Sequence, residues 1–232
     1  MAEPTVIPPS AARHRSAFEG LATVGRHGVA EGSPGLTVRE VTRLALASVV
    51  ARRGQADRVA ERVADATGIA LPATPRRVEG DAGTAGEGLS FVFAGPGQWL
   101  AVAETAAIER FAAAAGLDPA MAGSAALEIS LRAMLAGAAA VAGQGDGRGV
   151  LRLSGPRARD VLAKGTAIDL HPRSFATGDA AMTWCAHVDV TLWQRDADPT
   201  YDVVVPRGFA GTFWHWLEES AAAYGIAVVT PG

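Results

Sequence analysis

The sequence has one cysteine, Cys185, in 232 residues. No disulfide can form within the chain, and no CxxC pair offers a metal or redox motif. Charge of one sign is lacking too. Lys plus Arg total 21 against 24 Asp plus Glu, a net charge of -3, which leaves no basic field for nucleic acid or an anionic membrane. Long apolar runs are missing. Ala133–Val141 is closed off by Arg132 and Gly143, far short of the roughly 20 residues that cross a bilayer. Met1–Ser10 holds three prolines and no apolar stretch, so it does not read as a signal peptide. These absences set the expectation of a cytoplasmic protein that engages neither nucleic acid nor membrane.

What is present is apolar mass in small side chains. Hydrophobic residues make up 49% and charged residues 19%, enough for a packed core. Alanine is about a fifth of the chain, well above ordinary usage. Aromatics are only 6%, yet five are tryptophans, and all but Trp99 lie in the last quarter.

Hydrophobic periodicity predicts strands at Leu36–Val41 and Leu44–Val50, then a helix at Gln55–Thr67 closed by Gly68. Leu89–Phe93 and Trp99–Ala103 form a hairpin about Gly95-Pro-Gly-Gln98, followed by a helix from Thr105, its N-cap, to Ala115. Leu117–Gly123 reads as a loop. Over Ala125–Ala142 the alternation of Leu127, Ile129 and Leu131 with Glu128, Ser130 and Arg132 predicts a strand. Val150–Leu153 is a strand, and Gly155-Pro156 opens a helix whose buried stripe is Ala158, Val161 and Leu162. Met182–Ala186, Val188–Trp193 and Tyr201–Val205 are strands, Phe209–Tyr224 is a helix and Ile226–Val229 a terminal strand. The expected class is α+β, two mixed or antiparallel sheet units with packed helices, one over residues 36–122 and one over 123–232. Residues 1–35 form an arm with Arg13, His14, Arg15, Arg26 and His27, either flexible or ordered by a partner through Phe18, Leu21 and Val24.

No residue set announces chemistry. Asp169 and His171 flank Leu170 in a loop where Pro172 fixes the exit, the pattern of a structured turn. Cys185 and His187, with His171 and His215, lack the short-spaced pairs of a metal site. As a nucleophile Cys185 is poorly placed, because it sits mid-strand rather than on an exposed turn beside a base. There is no G-x-S-x-G, and neither Gly145–Gly149 nor Gly95–Gly97 leads directly into a helix as a phosphate cradle does.

The aromatic group is the most informative feature. Trp214 and Trp216 flank His215 on one helix, and residues two apart do not share a face. With Phe213 and Leu217 they give a helix apolar on several sides, so a partner surface is expected from Phe213, Trp214, Trp216, Trp184 and Trp193, joined by His171.

From Val150 onward the chain resembles a known family. The matching runs are Leu151-Arg-Leu-Ser-Gly-Pro156, Val161-Leu-Ala-Lys-Gly165, Ile168-Asp-Leu-His-Pro172, Phe175, Gly178, Tyr201-Asp-Val-Val-Val-Pro-Arg207 and Phe213-Trp-His-Trp-Leu217. Leu46–Arg52, Gly68–Pro72 and Gly95–Trp99 agree with it. These are similar to the gamma subunits of heterotetrameric sarcosine oxidases. The resemblance implies a fold like that of the folate-binding T-protein of the glycine cleavage system. It implies a non-catalytic subunit with no cofactor of its own, assembled with alpha, beta and delta subunits. The whole complex would oxidise sarcosine to glycine and hydrogen peroxide and pass the one-carbon unit to tetrahydrofolate. FAD, FMN, NAD and tetrahydrofolate would sit on the other subunits. Two other classes stay open. A free-standing folate-dependent aminomethyltransferase would hold the pterin with a carboxylate such as Asp169, Glu128 or Asp202, and a regulatory α+β domain would bind a small molecule.

Overall fold

The computed structural model describes residues 15–29 and 31–232, and of residues 119–122 the backbone alone. The chain begins with strands β1 (Gly25–His27), β2 (Leu36–Glu40) and β3 (Ala45–Ala51), helix α1 (Ala56–Thr67), and strands β4 (Arg77–Glu79), β5 (Leu89–Gly95) and β6 (Gln98–Ala103). Helices α2 (Thr105–Ala115) and α3 (Pro119–Leu135) follow, then β7 (Ala139–Gly143), β8 (Arg148–Ser154) and helix α4 (Ala158–Ala163). Strands β9 (Ala180–Cys185), β10 (Val188–Gln194) and β11 (Tyr201–Pro206), helix α5 (Ala210–Ala221) and strand β12 (Ile226–Val229) complete it.

The strands form two sheets. One has seven strands in the order β1-β12-β2-β8-β11-β10-β9, the other five in the order β4-β5-β6-β3-β7. The β12–β2 pair is parallel and the remaining pairs are antiparallel, so the α+β class with mixed and antiparallel sheets holds. Three apolar layers fix the stacking. Leu46, Val92, Leu100 and Val102 from the smaller sheet meet Val150, Ala180, Trp193 and Val204 from the larger. The outer face of the larger sheet packs on α4 and α5 through Val161, Leu162, Phe213 and Leu217. The outer face of the smaller packs on α1 and α3 through Val59, Val63, Leu127 and Leu131. The order across the molecule is helix, sheet, sheet, helix, which gives each sheet an apolar layer on both faces.

Several elements form where the sequence places them. Val59 and Val63, one turn apart, are the buried side of α1, and Gly68 ends it in the left-handed region at φ 74°. The hairpin β5–β6 turns at Pro96–Gly97, as the glycine spacing requires.

Three expectations are corrected. Residues 125–135 are helical, not a strand. Leu127, Leu131 and Leu135, spaced four apart, are fully buried, whereas Ile129 is 48% exposed, and Glu128 pairs with Arg132 one turn on at 2.7 Å. The helical period wins because its apolar stripe has α1 and the sheet to cover it. The division at residue 122 is not where the sheets part. β2 lies inside the seven-stranded sheet between β12 and β8, and α3 and β7 belong with the smaller sheet. Chain proximity is overridden here by strand pairing: Leu36 and Val38 match Ile226 and Val228 on one side, and Val38 matches Leu153 on the other. The arm, finally, is docked from Arg15 on. Phe18 is 1% exposed in the core of the larger sheet, its N–H and the Ser16 hydroxyl donate to the Glu40 carboxylate at 3.1 and 2.8 Å, and β1 pairs with β12. Arg13 and His14 lie outside the described residues.

Candidate functional site

The chain crosses from the larger sheet to the smaller at Val41–Leu44 and returns at Gln144–Gly147. The crossovers border a cleft of about 870 Å³, walled by Glu40, Arg43, Glu109, Glu128, Arg148 and Arg207. Most of these side chains serve the chain's own backbone or loops. Glu40 is held by Ser16 and Phe18. Glu128 accepts the Gly143 N–H at 2.6 Å and pairs with Arg132. Arg207 donates to the Arg15 and Ser16 carbonyls at 2.6 and 3.3 Å, and Arg148 to the Gln144 side chain at 3.4 Å. Such internal pairing makes the cleft a seam between sheets rather than a set of converging free donors.

Beside the seam runs a charge network that sequence reasoning missed. Asp202 on β11, with no solvent exposure, accepts Arg152 Nε at 2.7 Å and Arg195 Nη1 at 2.9 Å. Arg195 reaches on to Glu104 at 3.0 Å, and Glu104 stands 4.0 Å from Arg77 of β4, itself paired with Glu79 at 2.7 Å. The network therefore ties both sheets together. Burial works against the Arg195 charge, but Asp202 and Glu104 outweigh it and leave the guanidinium more basic than usual. Glu104 takes the N-cap position of α2 in place of Thr105, and its side chain, engaged with Arg195, makes no cap hydrogen bond. The signal that was available is a carboxylate inside the apolar run Tyr201-Asp-Val-Val-Val205: a charge in a buried strand requires a partner.

The groups weighed for chemistry are similarly engaged. Cys185 is fully buried, and that burial pushes its thiol up to about 12. Asp169 accepts the Ser174 hydroxyl at 2.6 Å and the His171 N–H at 2.9 Å, contacts that lower its pKa. His171 is exposed and its Nδ1 accepts the Arg173 N–H at 3.2 Å, closing a structured turn. Among the described residues no group of three or more His, Cys, Asp or Glu is arranged to hold a metal ion. None of the described helices is long and apolar enough to cross a membrane.

The structure separates the aromatic set. Phe213, Trp214 and Trp193 are buried at 0%, 4% and 0% exposure, and Trp216 is half-buried. The expectation that the α5 aromatics form an outward surface is corrected. At about 100° per residue, Phe213, Trp214, Trp216 and Leu217 fall within one sector about 160° wide. A helix lying on a sheet beside a second helix can bury that whole sector. The Trp216 ring lies 5.4 Å from the Phe213 ring, centroid to centroid and tilted by 52°, and packs over Gly165 at the end of α4. Trp193 sits between the sheets, with the Arg77 guanidinium 6.0 Å from its ring. Trp184 stands apart from the others, 63% exposed on β9.

Comparison with known proteins places these observations. The family described as "Sarcosine oxidase, gamma subunit family" matches residues 53–223. The sarcosine oxidase subunit gamma of Corynebacterium sp. (strain U-96) is 30% identical, the match covering 99% of this chain and 100% of that one. Its namesake from Arthrobacter sp. is 32% identical over 99% and 100%. Among solved structures, a chain of heterotetrameric sarcosine oxidase from Corynebacterium sp. U-96, in complex with pyrrole 2-carboxylate, superposes with a TM-score of 0.68 at 27% identity, covering 91% of this chain and 96% of that chain. The glycine cleavage system aminomethyltransferase T of Bartonella henselae shares the fold, with a TM-score of 0.55 at 15% identity over 86% of this chain and 48% of that one.

Proposed function

Because the chain belongs to the sarcosine oxidase gamma subunit family, we propose that it is the non-catalytic gamma subunit of a heterotetrameric sarcosine oxidase, acting in the assembly and stability of the complex. The observation that carries the reading is the end-to-end likeness to gamma subunits, each named as one chain of that oxidase. The proposed partners are alpha, beta and delta subunits in the cytoplasm. In this reading the complex demethylates sarcosine to glycine with release of hydrogen peroxide, FAD, FMN, NAD and tetrahydrofolate are held by the other subunits, and this chain contributes no cofactor. The internal engagement of Asp169, Glu128 and Asp202 supports it over a free-standing aminomethyltransferase, which needs a carboxylate free to meet the pterin.

Co-expression tests the proposal. With alpha, beta and delta present, this chain should co-purify in a flavin-coloured complex that forms peroxide from sarcosine. Leaving it out should lower the yield or thermal stability of that complex. A chain that purifies alone from such cells, and binds tetrahydrofolate with no flavoprotein attached, overturns the reading.

A further inference from the structure

β9 forms one edge of the seven-stranded sheet, with β10 as its only sheet neighbour among the described residues. Its outer edge is sealed at both ends. The Ala180 N–H donates to the Pro75 carbonyl at 3.0 Å, and the Ala186 N–H to the Gly165 carbonyl at 3.0 Å. Alternate residues of a strand turn their backbone groups to the same side. The N–H and C=O of Met182 and the N–H of Trp184 therefore face the open stretch between the seals, where no described residue bonds to them. The gap suits an extended segment of about three residues. The side chains above it are equally uncovered. Ala180 of the same strand face lies in the layer between the sheets, but Met182 and Trp184 are 57% and 63% exposed. Asp189 of β10 pairs across the strand with Trp184. It is exposed and has no hydrogen bond or ion pair among the described residues.

We propose that a partner subunit of the oxidase adds an extended strand to this edge. Its backbone bonds to Met182 and Trp184, and an arginine or lysine side chain lies over the Trp184 ring with its charge on Asp189. Open edges are normally blunted by lysine, proline or a bulge. β9, Ala180-Ala-Met-Thr-Trp-Cys185, carries no charge and no proline, as suits an edge covered in the working protein. Strand addition satisfies the backbone groups and leaves alternate side chains to set specificity. A cation that stacks on tryptophan while facing a carboxylate gains from both contacts. A second copy of this chain fits less well, because its own β9 brings no cation to Asp189.

The inference rests on the gamma-subunit reading and is tested within the co-expressed complex. Trp184→Ala, Asp189→Lys and Met182→Pro each change the edge at an exposed position. Each should weaken co-elution with the other subunits at least about tenfold, while the free variant keeps the wild-type melting temperature. Proline there removes one backbone donor, which an edge strand tolerates. Should that variant unfold, the other two decide the matter. If wild-type chain co-elutes and both Trp184→Ala and Asp189→Lys co-elute equally well, the edge is not the docking site, although the gamma-subunit reading stands. If wild-type chain itself never joins flavin-bearing subunits, that reading fails first. A wild-type dimer of this chain that the same changes dissolve assigns the edge to a second copy and overturns the proposal.

Discussion

Asp202 is the residue on which most of the buried charge depends. Two guanidinium groups converge on it, and each retains partial contact with water, with side chains 28% and 22% exposed. Replacing it by alanine leaves two arginines facing an apolar strand and should cost about 3 kcal/mol in denaturant unfolding, the scale for breaking a buried pair. Cys185 behaves oppositely, being satisfied only while neutral. In the folded chain its thiol is pushed up to about 12, well above the roughly 8.5 of an exposed thiol. Below that lower value the thiol is neutral in both states. As pH rises from there toward about 12, only the unfolded chain ionises, so stability falls over that window. The loss should appear as a difference in pH-dependent melting between wild type and Cys185→Ala. Native chain should also resist thiol reagents at pH 8 and react promptly once denatured. The cysteine's fate was legible in the sequence, since an apolar strand surrounds it. The role of Asp202 was not, because its partners Arg152 and Arg195 come from β8 and the turn after β10, and only the folded sheet brings them together.

At the scale of elements, α3 shows how a period-2 reading fails. Over five residues, Leu127, Ile129 and Leu131 satisfy an alternating pattern; the decisive apolar position is Leu135, one turn beyond, which extends the four-residue spacing. A strand would make the three side chains equivalent. The helix makes Leu131→Ala cost about 2–5 kcal/mol and Ile129→Ala less than about 0.5 kcal/mol, a contrast that urea titration resolves. The junction of α4 with α5 gives a sharper case. A Cβ on Gly165 would strike the Trp216 ring and come 3.0 Å from the Cys185 sulfur. Gly165→Ala should therefore destabilise by about 1–3 kcal/mol, and pairing it with Trp216→Leu should recover part of that loss in thermal melts. The strong helices, the hairpin and the last five strands were readable because each carries its own period and turn residues. The wide apolar sector of α5 was misread because a sequence shows how broad a stripe is, not how many neighbours cover it.

For the whole molecule, the two crossovers decide what can be separated. Each sheet takes strands from both halves of the chain, and the layer of Leu46, Leu100, Trp193 and Val204 joins them. Fragments cut between residues 122 and 123 should not fold alone, since the first lacks most of α3 and all of β7 and the second lacks β2. Mixed together they should regain the near-native circular dichroism that neither shows by itself, and the intact chain should melt in one calorimetric transition.

The parallel pairing of β2 with β12 also orders events in time. On the ribosome, residues 45–143 emerge with every strand of the smaller sheet among them. β2, made earlier, must wait nearly two hundred residues for the partner on its far side. Closing so long a loop is a slow, late step. Until translation reaches Val229, the nascent protein holds one finished sheet and a stretched N-terminal strand with a vacant flank, a surface that chaperones recognise.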